Sequence, residues 1–525
     1  MFSSQGDHVD EKRSYVGGDI RGVQDFIFAS TRLFEARGAS TLIDFFDRCA
    51  VPHLVEAAGG KTVFSGGGNF LASFPPDAKL EPFLEAARLA HIDLTGEPYG
   101  VALARTEAPA GFQKGREEVE AGLRAQKRAP DLTVPASGLP FWKRCESCAR
   151  APAGQRSQVG ETDDWVCGAC VRKRWAFQTL RESQGESRQT RLGFACLFHD
   201  RSCDLPLLPY ANDLAGFNYE RDVGHVADRE REVGFVLADG NGLGEWFASC
   251  GSEDEYQKLS QRVDTKLRSA LVEASKAAFP KGRDARRLPM QVLICGGDDL
   301  LAVVPAARAL PFARCFLETF VVERPGEHPK GAASGVLICN ERFPFRQAHD
   351  LAEALLREAK RKCRAPVQPA DPASALDFHR VTTSMVQSLA QERAAIRREG
   401  RDASGIEIEW SYGAAGPYTP RDMEELAELA RALERVTRSQ RGLLREILSP
   451  LDDGPGTATE RGVPALVLER IRAWNERQRD GRPLGDLEAG WARHLVSTTV
   501  KRGSRPIQRT SFRLADALAI ADMRG

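Results

Sequence analysis

Two adjacent carboxylates, Asp298 and Asp299, follow the glycine pair Gly296 and Gly297, and apolar runs lie on both sides of these four residues. Short apolar runs joined by glycines predict a β-hairpin, with the acids at its tip. Neighbouring carboxylates repel each other and lose hydration there, so solvent or a cation must stabilise them. Acidic turns are commonly just solvated, and the hairpin alone does not decide between these alternatives.

An internal repeat favours the cation. Residues 65–72 align without gaps on residues 295–302, and residues 19–26 align on residues 239–246 with the shared order Asp-x-x-Gly-x-x-acid-aromatic. Two matching segments in the same order indicate a duplicated unit. Gly68 and Asn69 stand where the second copy has its acidic pair. We therefore expect the second copy to hold metal and the first to have lost it.

The elements that position these residues follow from the apolar periodicity. Each copy predicts the order βαββαβ, which is the ferredoxin-like plan, so the fold class is α+β. In that plan the first and third strands are neighbours, and Asp239 at the end of the first should lie beside Asp298. Three converging carboxylates suit two Mg²⁺ ions, or Mn²⁺ in their place.

Glycines surround the acids and predict a phosphate site. Gly240, Asn241 and Gly242 follow the first acid, and Gly296 and Gly297 precede the pair. Glycine-rich loops let backbone amides approach a triphosphate, although such loops alone are weak signals.

A cation lies near the end of the last helix of the second copy. Lys360 has the charge to contact triphosphate oxygens. It equally suits the negative end of the helix dipole, and the sequence leaves both alternatives open.

Four cysteines predict a separate zinc site. Their order is C-x2-C, eighteen residues, then C-x2-C, and the residues are Cys145, Cys148, Cys167 and Cys170. This spacing is typical of four-thiolate zinc ribbons, and a closed coordination shell indicates a structural role.

Composition limits the class of protein. The chain has 525 residues, enough for about two to four domains. Lys plus Arg and Asp plus Glu both number 73, so overall charge does not indicate a nucleic-acid surface. No apolar run is long enough to span a membrane. Twelve cysteines behind a polar N-terminus, unlike a secretory signal, predict a reducing cytoplasm.

The expected domains are five. They are a polar tail at 1–13, a first, degenerate copy at 14–135, a zinc ribbon with a linker at 136–230, a second, active copy at 231–382 and an α-helical interaction domain at 383–525.

These motifs resemble the large subunit of type III CRISPR–Cas effector complexes. The resemblance includes both Asp-x-x-Gly segments, the four-cysteine ribbon, the Gly-Gly-Asp-Asp hairpin, Ala359-Lys360 and the segment 376–379. It implies two palm domains, one degenerate and one active, that convert ATP into cyclic oligoadenylates when the complex recognises foreign RNA. It also implies a guide RNA–target RNA ribonucleoprotein and its backbone subunits as partners. Carried over, Asp298 and Asp299 are the acidic pair, Asp239 is the first-strand acid and Lys360 is a phosphate contact.

One feature departs from that family. Many members begin with a histidine–aspartate nuclease domain, and the residues that precede the first palm are too few for one. We therefore expect no DNA cleavage by this chain.

Two other functions remain open at this stage. One is a cyclase that makes cyclic dinucleotides or cyclic mononucleotides, since Gly-Gly-acid-acid hairpins also occur in diguanylate cyclases. Those enzymes usually have Glu-Phe where this chain has Asp299-Leu300. A catalytically silent scaffold of an RNA complex is the other alternative, and it would not bind nucleotide with metal.

Overall fold

The structure is a computed structural model. It describes residues 12–30, 32–97, 100–128, 142–159, 162–186, 231–279, 290–364, 374–382, 388–395, 397–401, 407–411, 416–448, 463–477, 495–502 and 505–524. Most of the expected polar tail and the linker after the zinc ribbon lie outside the described residues.

The first palm is a four-stranded sheet in the order β2-β3-β1-β4. Its strands are β1 (Ser14–Ile20), β2 (Lys61–Gly66), β3 (Asn69–Phe74) and β4 (Val101–Arg105). Its helices are α1 (Val23–Ile27), α2 (Leu33–Phe45), α3 (Val51–Ala57), α4 (Glu81–Thr95) and α5 (Phe112–Arg128), and the π-helical turn Phe46–Ala50 joins α2 to α3.

The second palm repeats this order and adds one strand, giving β11-β10-β7-β9-β8. Its strands are β7 (Glu232–Gly240), β8 (Gln291–Gly296), β9 (Asp299–Pro305), β10 (Ala332–Asn340) and β11 (Ala375–Arg380). Its helices are α7 (Leu243–Ala248), α8 (Glu253–Ala278), α9 (Ala306–Thr319) and α10 (Phe345–Arg364). The predicted ferredoxin-like plan is confirmed in both copies, with the first and third strands paired.

The two palms share their hydrophobic cores. Successive residues of a strand point to opposite faces of its sheet, and Tyr15 and Val16 accordingly belong to different clusters. Tyr15 packs in the cluster that contains Leu259 of α8, whereas Val16 packs in the cluster that contains Leu237 of β7. Each cluster thus combines side chains of both palms, and this common packing fixes how the two hairpins face each other.

The ribbon between the palms is small. It consists of the hairpin β5 (Gln155–Val159) and β6 (Thr162–Val166), followed by helix α6 (Gly168–Glu186). Helix α6 packs along α2 of the first palm so closely that a Cβ on Gly38 would lie 1.9 Å from the Lys173 carbonyl oxygen. The glycine at position 38 is therefore required by this helix contact.

The C-terminal region contains the expected helices and also a sheet that the sequence analysis did not predict. The helices are α11 (Leu389–Ala395), α12 (Pro420–Glu434), α13 (Arg438–Leu448), α14 (Val463–Glu476) and α15 (Arg513–Arg524). The strands are β12 (Arg397–Arg401), β13 (Glu407–Ser411), β14 (Leu495–Arg502) and β15 (Arg505–Phe512), in the order β12-β13-β15-β14. Across the described part of the chain, every helix is too short or too polar to cross a lipid bilayer.

Candidate active site

The structure brings three acids to one edge of the second palm. Strands β7 and β9 are antiparallel neighbours, and their last register pair is Ala238 with Leu300. Asp239 and Asp299 come next on the two strands, while Asp298 lies in the turn. A Cβ added to Gly240 would lie 2.9 Å from Asp298 Oδ2. A glycine is therefore needed at position 240 for the Asp298 carboxylate to approach the end of β7.

The three carboxyls perturb one another. Burial and the negative charge of Asp239 raise the pKa of Asp298 to about 6. The pKa of Asp299 is also raised well above its ordinary value, by desolvation at the crowded tip, by the charges of Asp239 and Asp298, and by a hydrogen bond with Asp239. Carboxylate oxygens gathered in excess of nearby cations are the donor set that Mg²⁺ or Mn²⁺ prefers.

Lys360 of α10 forms an ion pair with one of these acids, Asp239. Its Nζ is 2.6 Å from Asp239 Oδ2, and both side chains are about three-quarters buried. The predicted phosphate contact thus pairs with a predicted metal ligand in this structure.

The predicted phosphate loops have distinct local geometries. Gly242 and Gly297 have φ angles of 67° and 62°, a backbone conformation that favours glycine. The backbone N–H of Asn241 donates to the Gly331 carbonyl oxygen at 2.9 Å, so it already has a partner within the protein. Gly296 and Gly297 form the hairpin tip, and a Cβ on Gly297 would meet nothing within 4 Å. The tip, rather than the Asn241 amide, is the part of this backbone that a phosphate can approach.

The first palm keeps part of this arrangement. Lys127 near the end of α5 forms an ion pair with Asp19 at the end of β1, as Lys360 does with Asp239. With its amide nitrogen turned toward Asp19, Asn69 also donates to Asp19 Oδ2 at 3.0 Å. Asp19 therefore pairs with Lys127 and Asn69, whereas its equivalent in the second palm, Asp239, lies beside two further acids.

Sequence reasoning missed Lys127 as the counterpart of Lys360. The signal is present, because the segment Leu-Arg-x-x-Lys-Arg occurs at residues 123–128 and again at residues 356–361. The repeat therefore extends to the final helix of each palm.

A second residue that sequence reasoning missed, the acid Asp47, contacts the hairpin of the first palm. It lies in the π-helical turn, is 2% exposed, and its Oδ2 accepts from the Gly68 amide at 2.7 Å. Its Oδ1 is buried without a hydrogen-bond partner among the described residues. Burial is the main reason why the pKa of Asp47 is raised to about 8. An isolated Asp that follows two phenylalanines gives no sequence signal for this role.

The two hairpins meet at their tips. A Cβ on Gly296 would lie 3.1 Å from the Gly67 amide nitrogen, and one on Gly66 would lie 4.0 Å from that of Gly297. Beside this contact is a cavity of about 830 Å³, which we call the inter-palm cavity; residues of both palms line it, among them Asp19, Lys127, Gln257, Gln261 and Asp298. Its volume is within the range of about 300–1,000 Å³ that is usual for small-molecule sites.

The four ribbon cysteines converge as the spacing predicts. Their four sulfur atoms all lie within 4.8 Å of one another, and Cys148 Sγ is 3.7 Å from Cys167 Sγ. Hydrogen bonds from the other three thiols lower the pKa of Cys145. Four thiolate donors at this spacing fit tetrahedral Zn²⁺.

Buried charges attach the ribbon to the first palm. Arg174 of α6 is 1% exposed and its Nε donates to Glu35 Oε1 of α2 at 2.6 Å. Ser147, within the first cysteine knuckle, donates to the same oxygen at 2.7 Å. A buried pair of this kind is costly to break, because the remaining charge stays buried.

Comparison with known proteins agrees with this geometry. Residues 232–366 match the family model of Cas10/Cmr2, second palm domain. No curated protein matches the chain. The sequence resemblance to the type III large subunit is therefore confirmed through its second palm.

Solved structures show the fold over nearly the whole chain. Csm1 from T. onnurineus is 14% identical, with a TM-score of 0.52 over 98% of this chain and 69% of that chain. A Csm1–Csm4 cassette in complex with cA4 is 14% identical, with a TM-score of 0.51 over 99% and 71%. Another, in complex with pppApApA, is 16% identical, with a TM-score of 0.50 over 100% and 71%.

Proposed function

We propose that this chain is a metal-dependent nucleotidyltransferase that polymerises and cyclises ATP into cyclic oligoadenylates. The observation that carries the proposal is the convergence of Asp239, Asp298 and Asp299 at one strand edge of the second palm, directly opposite the hairpin of the first palm. The complexes of similar Csm1–Csm4 cassettes with cA4 and pppApApA support the same substrate class.

In the proposed reaction the 3′-hydroxyl of one ATP attacks the α-phosphorus of another, and pyrophosphate leaves. Mg²⁺ or Mn²⁺ held by the three acids would lower the pKa of the hydroxyl and stabilise charge on the leaving group. The residues of the chain supply position: the hairpin tip orients the α-phosphate, and Lys360 can turn from Asp239 to the triphosphate. Most of the rate enhancement in such a transfer comes from positioning and charge stabilisation.

The first palm supplies the acceptor side. It has Gly68 and Asn69 in place of the hairpin acids and retains the Asp19–Lys127 pair beside the inter-palm cavity. An acceptor nucleotide seated there would present its 3′-hydroxyl to the acids across the hairpin contact. This would explain why the first palm keeps the fold although it lacks the two hairpin carboxylates.

The chain works, in this proposal, within an RNA-guided antiviral complex of the cytoplasm. Its partners are backbone subunits and a guide RNA that recognises foreign RNA, in line with the Csm1–Csm4 assemblies of similar fold. Zn²⁺ at the four cysteines is structural, since a closed thiolate shell leaves no position for substrate.

The test is product formation by Asp298→Ala combined with Asp299→Ala. The purified chain, with its complex and target RNA, is incubated with ATP or GTP and Mg²⁺, and products are identified by mass spectrometry. We expect cyclic oligoadenylates from the parent protein and none from the double variant. Asp350→Ala, which alters an exposed acid on α10, is the matched control.

Each alternative function has its own outcome in this test. Full synthesis by the double variant contradicts the site. Cyclic dinucleotides or mononucleotides indicate a different cyclase. A parent protein that makes no product, and that shows no metal-dependent nucleotide binding in titration calorimetry, indicates a scaffold.

A further inference from the structure

Helices α2 and α8 are counterparts in the repeat. Asp44 of α2 and Asp264 of α8 are each followed by an arginine four residues later, Arg48 in the π-helical turn and Arg268 in α8. The interval from Asp44 to Asp264 equals that from Asp19 to Asp239. Arg48 Nε donates to Asp44 at 2.5 Å, and Arg48 Nη2 lies 3.4 Å from Asp264 Oδ1 on the facing helix. Equivalent faces of the two helices therefore lie towards the other palm, that of α2 towards the second palm and that of α8 towards the first.

On the side of the second palm, the face of α2 is closed. Arg37 Nη1 donates to Gln291 Oε1 of β8 at 2.5 Å, and the two residues are 3% and 1% exposed. Ser40 and Thr41 beside it are also buried. This face of α2 is therefore packed against β8.

On the side of the first palm, the same face of α8 is open. Gln257, Ser260 and Gln261 occupy the positions equivalent to Arg37, Ser40 and Thr41, and they line the inter-palm cavity. Gln257 and Ser260 are partly exposed and Gln261 is exposed. None of the three has a hydrogen-bond partner among the residues that the structure describes. Polar groups without partners at a cavity wall are available to a ligand.

The remaining walls supply the other contacts that a nucleotide needs. Phe64 and Tyr256, whose ring centroids are 6.3 Å apart, line the cavity with partly exposed rings that can pack on a base. Arg124 and Lys127 line it on the α5 side and can contact phosphates. Asp298, one of the two hairpin acids, also lines the cavity, so the cavity extends to the acidic hairpin.

We infer that Gln257 and Gln261 of the second palm recognise the base of the nucleotide seated on the first palm, and that they select adenine. A glutamine amide offers one acceptor and two donors, which match N6 and N7 of adenine, whereas guanine presents acceptors at both positions. The inference rests on the proposed function, and it assigns the base preference of the acceptor to side chains from the opposite palm.

Binding, rather than turnover, tests this inference. The Asp298→Ala, Asp299→Ala background lacks the acids that hold the other nucleotide. Equilibrium dialysis of this variant with labelled ATP and GTP measures nucleotide binding without consumption of nucleotide. We expect ATP to bind at least about tenfold more tightly than GTP. Adding Gln257→Ala and Gln261→Ala should reduce that ratio at least about tenfold, while Gln347→Ala on an exposed turn of α10 leaves it unchanged.

The outcomes separate the inference from the proposed function. An unchanged ATP-to-GTP ratio in the glutamine pair variant, or no preference in the parent background, overturns the inference alone. Synthesis that persists without the hairpin acids overturns the proposed function whatever the ratio is. Should the alanine pair unfold, Gln257→Glu keeps the side-chain shape but removes the amide donors, and it must still lower the ratio.

Discussion

Gly296 of the acidic hairpin lies against Gly67 of the opposite hairpin, so closely that even a methyl side chain on Gly296 would make a tight contact. A Cβ there would lie 3.1 Å from the Gly67 amide nitrogen and 3.5 Å from its Cα. The two palms therefore meet through backbone at the point where, in the proposed reaction, two nucleotides would come together. The contact would then set the distance between the acids of the second palm and a nucleotide on the first.

The first prediction follows from this contact. Gly296→Ala must push the tips apart by a few tenths of an ångström, and synthesis of cyclic oligoadenylate should fall about tenfold or more, because transfer depends on alignment. The melting temperature should change little. Gly244→Ala, at an exposed position of α7 with nothing within 4 Å, is the control and should retain synthesis. Equal rates for the two variants would mean that the tips need not touch.

The sequence predicted the repeat, the strand neighbours and the convergence of Asp239 with Asp298 because these follow from local patterns. Alternating apolar residues give strands, and the βαββαβ order places the first strand beside the third. The four-cysteine spacing was equally local. For these features, the residue pattern of short segments was sufficient to predict what the structure shows.

Other features depend on contacts between distant segments and were not predictable. Asp47 matters only because the π-helical turn places it under the Gly68 amide. Gln257 and Arg37 are equivalent in sequence position, yet one faces a cavity and the other is buried against Gln291. The C-terminal strands β14 and β15 did have a local signal, a β-branched run before Gly503-Ser504 that is typical of a hairpin.

The second prediction concerns the repulsion among the hairpin acids. Asp298→Asn with Asp299→Asn keeps their shape but removes two of three converging charges, so the metal-free protein should become more stable. Thermal denaturation in EDTA should show a higher melting temperature than that of the parent. Added Mg²⁺ or Mn²⁺ should stabilise the parent much more than the variant, since the variant retains only one of the three carboxylate ligands. A variant that is less stable than the parent in EDTA would contradict the charge argument.

The third prediction separates two roles of Lys360. Its ammonium group lies 2.6 Å from Asp239 Oδ2, where it would compete with a divalent ion in the proposed metal site. Lys360→Met should therefore bind Mn²⁺ more tightly in the absence of nucleotide, yet make cyclic oligoadenylate at least about tenfold more slowly because the triphosphate loses a cation.

Arg361→Met is the neighbouring control for that experiment. Arg361 is 67% exposed and pairs with Glu358, so neither Mn²⁺ affinity nor synthesis should change. Titration calorimetry gives the first quantity and product chromatography the second. Weaker Mn²⁺ binding by Lys360→Met would show that the lysine supports the metal site instead of competing with it.

The fourth prediction is a pH dependence of stability from Asp47. Its pKa is about 8 in the folded chain and 3.8 as the ordinary value, so the stability that its protonated form contributes is complete below about pH 4. That contribution is lost as the pH rises through about 8, by about 1.4 kcal/mol for each unit between the two pKa values. Asp47→Asn keeps an acceptor for the Gly68 amide and does not ionise. It should therefore be more stable than the parent at pH 9.

Chemical denaturation across pH 5 to 9 measures this difference. The free energy of unfolding of Asp47→Asn should fall less steeply with pH than that of the parent protein. Asp77→Asn alters an exposed loop acid and should follow the parent curve. Parallel curves for Asp47→Asn and the parent would place the ionisation of Asp47 outside this range.

The fifth prediction is that zinc holds the ribbon onto the first palm. Cys148→Ser removes one of four thiolates whose sulfurs lie within 4.8 Å of one another, so stoichiometric zinc should be lost. Without the knuckle, Ser147 no longer positions its hydroxyl on Glu35, and the buried Arg174–Glu35 pair is weakened. The melting temperature should therefore fall by several degrees.

Cys49→Ser, at an exposed free cysteine outside the ribbon, should retain both zinc and stability. Metal analysis by mass spectrometry together with thermal denaturation decides the matter, and full zinc content in Cys148→Ser would refute four-cysteine coordination.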